Sequence, residues 1–498
     1  MNILNLLILV PVLTVISIML VKDSSRAKLV AAIGMGTQLI LSIFLVYSYL
    51  DLRASGNEEM MLFVSDHLWY EQWNIHYSIG VDGISVALIL LTAIISFAGV
   101  FASWTVKEQS KEFFITLIVL ATGVFGFFIS LDLFTMFLYY EIAVIPMYLL
   151  IGIWGSGKKE YSAMKLTLIL MGASALLLVG ILGIYFNSSP DPEALTFNFI
   201  EIAQNDIPLK AQLFFFPLTF VGFGALGALF PLHTWSPDGH ASAPTAVSML
   251  HAGVLMKLGG YGALRIAVYL MPEAASEYAW FFIILATIGA VYGSFAALVQ
   301  KDLKYLNAYS SVSHLGLILF AILMFNKVAF TGAVLQMISH GFITALFFAL
   351  IGMIYGRTHT RNITEMGGLI KVIPILGVSY IIAGFASLGL PGLSAFVAEM
   401  TIFVGAFQHD DIFIRVCSIL VISSIVVTAV YILRAAATML LGPIKKEEFK
   451  DIKDAEWHEK VSVYLLVAMI VAMGMYPDWL ASMIGDSLNG IVERFVSR

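Results

Sequence analysis

The sequence has 498 residues, of which 60% are hydrophobic and only 12% are charged, with a formal net charge of −6. An ordinary soluble domain carries about 25% charged residues, so this composition excludes a string of soluble domains and favours a polytopic membrane protein. The sequence has no basic patch of the kind that would indicate a nucleic-acid partner. A single cysteine, Cys417, excludes an internal disulfide and a metal cluster held by cysteines.

Apolar runs recur along the whole chain at the length of about 20 residues that an α-helix needs to cross a lipid bilayer. The sequence therefore predicts an all-α protein with residues 1–498 in one integral membrane domain. Fourteen spans are predicted at 3–21, 28–50, 82–104, 112–130, 132–154, 161–186, 211–232, 243–268, 277–299, 303–324, 328–355, 372–406, 412–441 and 460–484. The first run lacks the basic segment and cleavage site of a signal peptide, so we interpret it as a span.

Basic residues predict the orientation of the spans. The cation-rich loops hold Lys22, Arg26 and Lys28, then Lys107 and Lys111, Lys158 and Lys159, Lys301 and Lys304, Arg357 and Arg361, and Lys445, Lys446, Lys450 and Lys453. The loops between them are poor in cations, including 51–81, which is predicted as the longest outer loop. Because cation-rich loops stay in the cytoplasm, a bacterial inner membrane with both termini on the outer side is expected.

Proline and glycine interrupt two of the predicted spans. The seventh continues into FPLHTWSPDGHASAP, and the twelfth contains SLGLPGLSAF. Non-helical backbone at membrane depth is tolerated where it lines a wet cavity or is buried in protein. The breaks lie five spans apart, which predicts two inverted repeats of five helices, spans 4–8 (112–268) and spans 9–13 (277–441). Paired broken helices of this kind indicate a transport path.

Two carboxylates are predicted at membrane depth. Glu141 lies in the apolar run FLYYEIAVIPMYLLIGIW, and Glu399 follows the second break in SAFVAEMTIFVG. A charged group there costs at least about 2.5–3.5 kcal/mol, so such residues are rare and functional by default. We interpret both as proton sites, with Glu399 as the exit group. The alternative is a neutral glutamic acid that holds two helices together by hydrogen bonds.

One lysine is also predicted at membrane depth. Lys257 lies in the middle of the eighth span, too deep to extend its ammonium group easily to either interface. A buried lysine can donate and accept protons, and the alternative is a fixed structural cation. His251 lies six residues earlier, about 9 Å along the helix axis. It fits a structural histidine as well as it fits a member of a proton relay.

The tenth span carries a polar face that leads inward from its cytoplasmic end. Its members are Lys304, Asn307, Ser311 and His314. Their i, i+3, i+7, i+10 spacing places them on one side of a helix, which predicts a path for proton uptake; the first break is the other candidate entrance. Hydrogen bonding between helices is the alternative. His340 adds a polar position to the eleventh span.

Cofactor chemistry receives no support from the sequence. No motif for nucleotide, flavin, iron–sulfur or zinc binding is present, so neither a cofactor nor a metal is expected in this chain. A quinone- or haem-binding redox protein is a weaker alternative, because haem needs axial ligands and the histidines do not show such spacing clearly. A purely structural spacer would gain nothing from three buried ionisable groups.

Seven segments carry a resemblance to a known family. They are GVDGISVALILLTA (80–93), LYYEIAVIPMYLLIG (138–152), PLHTWSPDGHASAPT (231–245), GVLMKLGGYGALR (253–265), YSSVSHLG (309–316), QMISHG (336–341) and LGLPGLSAFVAE (388–399). Together they resemble the antiporter-like membrane subunits of respiratory complex I, the proton-pumping NADH:quinone oxidoreductase, and most of all its subunit M type. Multi-subunit cation/proton antiporters share the same helical core and are the alternative.

The resemblance implies a proton-translocating subunit that does no redox chemistry itself. NADH, FMN, iron–sulfur clusters and quinone would be bound by partner subunits. The expected partners are the lipid bilayer and other membrane-arm subunits, including antiporter-like subunits on both sides. The chain ends at Arg498, soon after the fourteenth span, so the long lateral helix of the family's distal subunit is not expected.

The resemblance also assigns residues to positions. Glu141 matches the fifth-helix glutamate of the family, Lys257 the central eighth-helix lysine and Glu399 the acidic group of the twelfth helix. His314 and His340 match polar connecting positions.

One position departs from the family. Its members usually have a lysine in the seventh helix that pairs with the fifth-helix glutamate, and the corresponding residue here is Leu226. His251 is the nearest candidate in sequence, so we expect it to replace the missing cation beside Glu141.

Overall fold

Helices make up most of the molecule. The structure is a computed structural model that describes residues 2–496, so Met1 and the predicted chain end at Arg498 lie outside the described residues. The helices are α1 Ile3–Leu20, α2 Ser24–Ala54, α3 Gly83–Ala102, α4 Ser110–Ile129, α5 Leu133–Trp154, α6 Lys159–Phe186, α7 Phe199–Ile202, α8 Leu209–Leu226, α9 Trp235–Ser242, α10 Thr245–Leu250, α11 Met256–Gly262, α12 Pro272–Val299, α13 Leu303–Ile322, α14 Lys327–Thr358, α15 Pro374–Ser387, α16 Ser394–Ala406, α17 Ile412–Leu440, α18 Trp457–Met475, α19 Asp478–Ser487 and α20 Asn489–Val496.

Twelve helices within residues 2–496 are long and apolar enough to cross a membrane. The predicted polytopic all-α membrane fold is therefore confirmed. The two other predicted spans, 243–268 and 372–406, correspond to composite segments. In the first, the π-helical turn His251–Leu255 joins α10 to α11, and a second π-helical turn, Ala263–Val268, follows α11. In the second, a break separates α15 from α16.

The centre of the bundle is α14, which is apolar on every side and almost completely buried. It packs against α13 and α16 on one side and against α3, α10 and α18 on others. A helix that is hydrophobic all round is stable only inside a bundle or within lipid. Gln336 and His340, in the middle of α14, are consequently held away from solvent and contact groups from neighbouring helices.

Both interruptions lie where proline and glycine predict them. After α8 the chain turns through Gly227 and Ala228 before the short helix α9. Between α15 and α16, Gly389 and Gly392 have φ values of 67° and 90°, a region that favours glycine because it has no Cβ atom. A Cβ atom on Gly389 would also lie 2.7 Å from Oε2 of Glu399. The second break therefore brings the backbone close to this carboxylate.

The segment 51–81, predicted as the longest outer loop, contains regular structure. It contains the strands β1 (Leu62–Tyr70) and β2 (Ile75–Val81), which pair in an antiparallel hairpin. Its aromatic and β-branched residues suit a half-buried strand. The carboxylate of Asp132 accepts a hydrogen bond from the His76 amide at 3.1 Å. The hairpin is thereby attached to the start of α5.

The last predicted span, 460–484, is also corrected. The helix α18 ends at Met475, and α19 begins at Asp478. Pro477 lies between them and has no backbone N–H to continue the helix. The crossing helix is consequently shorter than the apolar run suggests.

Candidate functional site

Lys257 lies at the centre of the candidate site. Its side chain is completely buried in α11, directly after the π-helical turn His251–Leu255. The ammonium group donates to the carbonyl oxygen of Ala252 and lies 2.8 Å from Nδ1 of His340 on α14. π-helical turns inside α-helices are frequent at functional sites. Here the turn supplies the carbonyl oxygen of Ala252 to the buried amine of Lys257, and α14 supplies the imidazole of His340.

Polar groups continue from His340 to the second break. The rings of His340 and His314 are 5.1 Å apart between centroids. Nδ1 of His314 lies 3.1 Å from Nε2 of Gln336 and 3.6 Å from Oε1 of Glu399. The amide nitrogen of Gln336 lies 3.5 Å from the same carboxylate oxygen. Lys257 and Glu399 are thus joined by a continuous series of buried groups, which we call the central chain: Lys257, His340, His314, Gln336 and Glu399.

Gln336 was missed by sequence reasoning. It begins the segment QMISHG and lies four residues before His340, which places the two side chains on one face of α14. That spacing was the available signal. A neutral amide costs less to bury than a charged group, and the cost of burying a charge is the signal that identified Lys257 and Glu399.

Glu141 lies apart from the central chain. Its side chain is half-buried, and the neighbouring Ile142 and Ile145 on α5 are 40% and 60% exposed. Ser174 on α6 lies beside its carboxylate, but the Ser174 hydroxyl donates to the carbonyl oxygen of Met171 at 3.1 Å. Oε1 of Glu141 has no hydrogen-bond partner among the described residues. No hydrogen bond or ion pair within the described part of the chain joins Glu141 to Lys257.

His251 is buried elsewhere. Its ring stacks on Trp235 with a centroid distance of 5.0 Å and lies 4.3 Å from the ring of His240. Leu226, at the position of the family's lysine, is buried at the end of α8. No described contact joins His251 to Glu141, so replacement of the missing cation by His251 stays a prediction without a contact to support it.

The polar face of α13 also lies inside the protein. Its four members are all buried, and Ser311 donates to the carbonyl of Asn307 at 3.0 Å. The ammonium group of Lys304 donates to the carbonyl oxygen of Ala243 at 2.6 Å. Lys304 therefore holds the unwound backbone between α9 and α10 and does not extend into solvent.

Comparison with known proteins identifies the family. Residues 130–428 match the family model "NADH:quinone oxidoreductase/Mrp antiporter, TM". NADH-quinone oxidoreductase subunit M of Rickettsia prowazekii is 32% identical over 99% of this chain and 99% of its own length. Subunit M of Rhodobacter capsulatus is 34% identical, over 94% of this chain and 91% of its own length. The chain belongs to this family.

Solved structures of the NADH:quinone oxidoreductase/Mrp antiporter family share the fold. A chain of respiratory complex I from Thermus thermophilus with bound NADH superposes with a TM-score of 0.88 at 24% identity, covering 99% of both chains. A chain of the Mrp complex from Dietzia sp. gives a TM-score of 0.84 at 19% identity, covering 100% of this chain and 98% of that one. At such identities the likeness supports the architecture alone.

Proposed function

We propose that the chain is a proton-translocating membrane-arm subunit of an NADH:quinone oxidoreductase. The observation that carries the proposal is the buried central chain, in which each member lies within hydrogen-bond or ring-contact distance of the next. Relatives over nearly the whole length are named subunit M of that enzyme. NADH oxidation and quinone reduction take place in partner subunits, and this chain contributes proton transfer.

Proton transfer along the central chain needs no cofactor. Lys257 in its ammonium form can give a proton to Nδ1 of His340, which leaves a neutral amine and an imidazolium. His340 can pass that charge to His314, and His314 can pass it to the carboxylate of Glu399, while Gln336 orients both acceptors. Charges interact strongly where the surroundings exclude water, so a change of charge at one end alters proton affinity along the series. Protons enter from the cytoplasm and leave through Glu399.

Glu141 is proposed as the link to a neighbouring subunit. Its half-buried carboxylate lies beside exposed apolar residues of α5, on a face that another membrane-arm subunit can cover. The charge of Glu141 would then depend on that neighbour and act on Lys257 by electrostatic coupling.

Fourteen spans in two inverted repeats are proposed as the full architecture. Asp132 caps α5 and Asp302 caps α13, each through backbone amides two and three residues ahead. Asp132 pairs in an isolated β-bridge with Asn198, and Asp302 pairs in the same way with Asn362. The two helices are the second members of the proposed repeats. This shared local pattern supports the repeats, and the loop cations support an outer location for both termini.

Lys257→Met tests the proposed function in membranes that contain the assembled enzyme. NADH-driven proton transport, normalised to quinone reduction, is expected to be lost while the variant still co-purifies with the NADH-oxidising subunits. Normal transport by the assembled variant would contradict the proposal.

A cation/proton antiporter subunit is the second candidate, because the description of the matching family model names the Mrp antiporter beside NADH:quinone oxidoreductase. This candidate predicts cation-dependent proton exchange without NADH and co-purification with other antiporter subunits. Such exchange in vesicles that lack NADH-oxidising subunits would replace the first proposal.

A further inference from the structure

A polar cleft of about 400 Å³ lies at one end of the bundle, between α3, α14 and the segment that precedes α18. Arg357, Glu456 and Glu459 line its sides, and Thr105 lies at its rim. Arg357 forms an ion pair with Glu459 at 2.6 Å. The loops that form the cleft are three of the cation-rich loops, so the proposed orientation opens it to the cytoplasm.

The inner end of the cleft reaches the helix that carries Lys257. Thr245, the first residue of α10, and Gly352 on α14 both line the cleft and are both partly exposed. A Cβ atom on Gly352 would lie 2.2 Å from Oγ1 of Thr245, so the two helices are in close contact at this point. Solvent in the cleft therefore reaches the start of the segment that continues to His251 and Lys257.

An aromatic ring and two histidines lie one helical turn further in. Phe348 precedes Gly352 by four residues on α14, and its ring stacks on His240 at 5.0 Å. The ring of His240 lies 4.3 Å from that of His251. Both histidines are completely buried, and none of their four ring nitrogens has a hydrogen-bond partner within the described part of the chain. Buried polar groups are rarely left unsatisfied, and ordered water is their usual partner when protein groups are absent.

We propose that this cleft is the cytoplasmic entrance for protons and that His240 is their first buried acceptor. The inference rests on the proposed function and identifies the uptake route for the central chain. A proton that arrives by water binds a ring nitrogen of His240 and forms an imidazolium. His240 returns to its neutral form when a proton passes through His251 to the neutral amine of Lys257, and Phe348 separates the cleft from the histidine pair.

Electrostatic contacts couple His240 to the central chain and repel a proton that has bound to it, which favours its onward transfer. Its imidazole interacts with His251, Lys257 and Lys304, and also with His340. It is therefore coupled to the first two members of the central chain. The ammonium group of Lys304 is already bound to the Ala243 carbonyl, whereas the ring nitrogens of His240 and His251 have no hydrogen-bond partner among the described residues. His240 is the one of these two that contacts Phe348, on the side of the cleft.

A thiol reagent can close the cleft after the enzyme has assembled. Thr105→Cys in inverted membrane vesicles is treated with a cationic, membrane-impermeant methanethiosulfonate from the cytoplasmic side. We expect loss of proton transport per NADH oxidised, and its recovery after reduction with dithiothreitol. Lys107→Cys is the matched control, because Lys107 is also exposed but does not line the cleft. The unsubstituted chain, with its buried Cys417, is the blank.

The labelling has two outcomes that would overturn the proposal. Full labelling of Thr105→Cys without loss of transport would show that protons enter elsewhere. No labelling in the assembled enzyme would show that a partner covers the cleft.

Substitution of His240 provides an independent test. His240→Gln is expected to lose proton transport, whereas His233→Gln is expected to retain it. His233 is a matched control because it is buried nearby and contacts Phe230 and Tyr292 instead of His251. Loss in His233→Gln with transport retained in His240→Gln would overturn the route. Retained transport in Lys257→Met would overturn the proposed function itself, so the two failures are distinguishable.

Discussion

Glu399 and Glu141 are both carboxylates in membrane helices, but their surroundings differ. Glu399 is 3% exposed and contacts Gln336 and His314, which lead to Lys257. Glu141 is half-buried beside exposed apolar residues and the hydroxyl of Ser174. A carboxylate surrounded by titratable groups of its own chain can relay protons internally. The charge of a carboxylate at the surface of the bundle depends on the molecule that covers it.

Glu399→Gln should have the largest effect. The amide keeps the shape of the side chain and can hydrogen-bond to Gln336, but it cannot take up a proton from His314. A positioned acid or base contributes about 10²–10⁴-fold to a proton-transfer rate, so transfer through this chain should fall by about 100-fold or more. NADH-driven acidification normalised to quinone reduction measures the loss.

Glu399→Asp is the matched control for that change. It shortens the side chain but restores a titratable group, so it should recover part of the transport. Equal activity in Glu399→Gln and the unsubstituted chain would show that the central chain does not end at Glu399.

Glu141→Gln should have a smaller effect than Glu399→Gln. No described hydrogen bond or ion pair joins Glu141 to the central chain, so its loss removes a coupling charge and leaves the series of proton acceptors intact. We expect reduced transport with assembly preserved, measured in the same vesicles. A loss as large as that in Glu399→Gln would place Glu141 directly on the path and remove the distinction between the two carboxylates.

Leu226→Lys tests whether the family's missing ion pair can be restored. Burying an unpaired charge destabilises a protein by about 3–5 kcal/mol, and Leu226 is fully buried. If Glu141 is within reach, the added lysine should destabilise the chain less than it does in a Glu141→Gln background. Thermal unfolding of the four assembled variants gives this coupling free energy, expected between about 0.5 and 3 kcal/mol. Equal losses in both backgrounds would mean that the two positions are not in contact.

The sequence predicted those parts of the site that carry a large energetic signal. An ionisable residue within an apolar run is costly, and this identified Lys257, Glu399 and Glu141. Proline and glycine marked both interruptions. The apolar pattern did not distinguish Glu141 from Glu399, because side chains that face lipid and side chains that face other helices are equally hydrophobic.

Other features were missed because their signal is local or depends on contacts. The hairpin 62–81 was interpreted only as part of an outer loop, because the scarcity of cations that identified this loop says nothing about strand pairing. His240 lies in the interrupted segment, and only the packing of α14 brings Phe348 and the polar cleft close to it. The paired Asp–Asn bridges at α5 and α13 consist of single residues separated by 66 and 60 positions, so no pattern in the sequence predicts them.

Glu365→Gln should have the smallest effect and provides an exposed carboxylate for comparison. Glu365 lies between α14 and α15 and accepts a hydrogen bond from Lys446 at 2.9 Å. Hydrogen bonds from Lys446 and Asn362 hold the pKa of Glu365 below its usual value of 4.5. The stabilisation is therefore present above pH 4.5 and is lost as the pH falls through the lowered pKa.

We expect unchanged proton transport in Glu365→Gln at pH 7 and faster amide hydrogen exchange around 363–371. The unsubstituted chain should approach that exchange rate, corrected for intrinsic rates, only at pH values below 4.5. Loss of transport in this variant would mean that removing any carboxylate impairs the enzyme, and the contrast between Glu399 and Glu141 would lose its meaning.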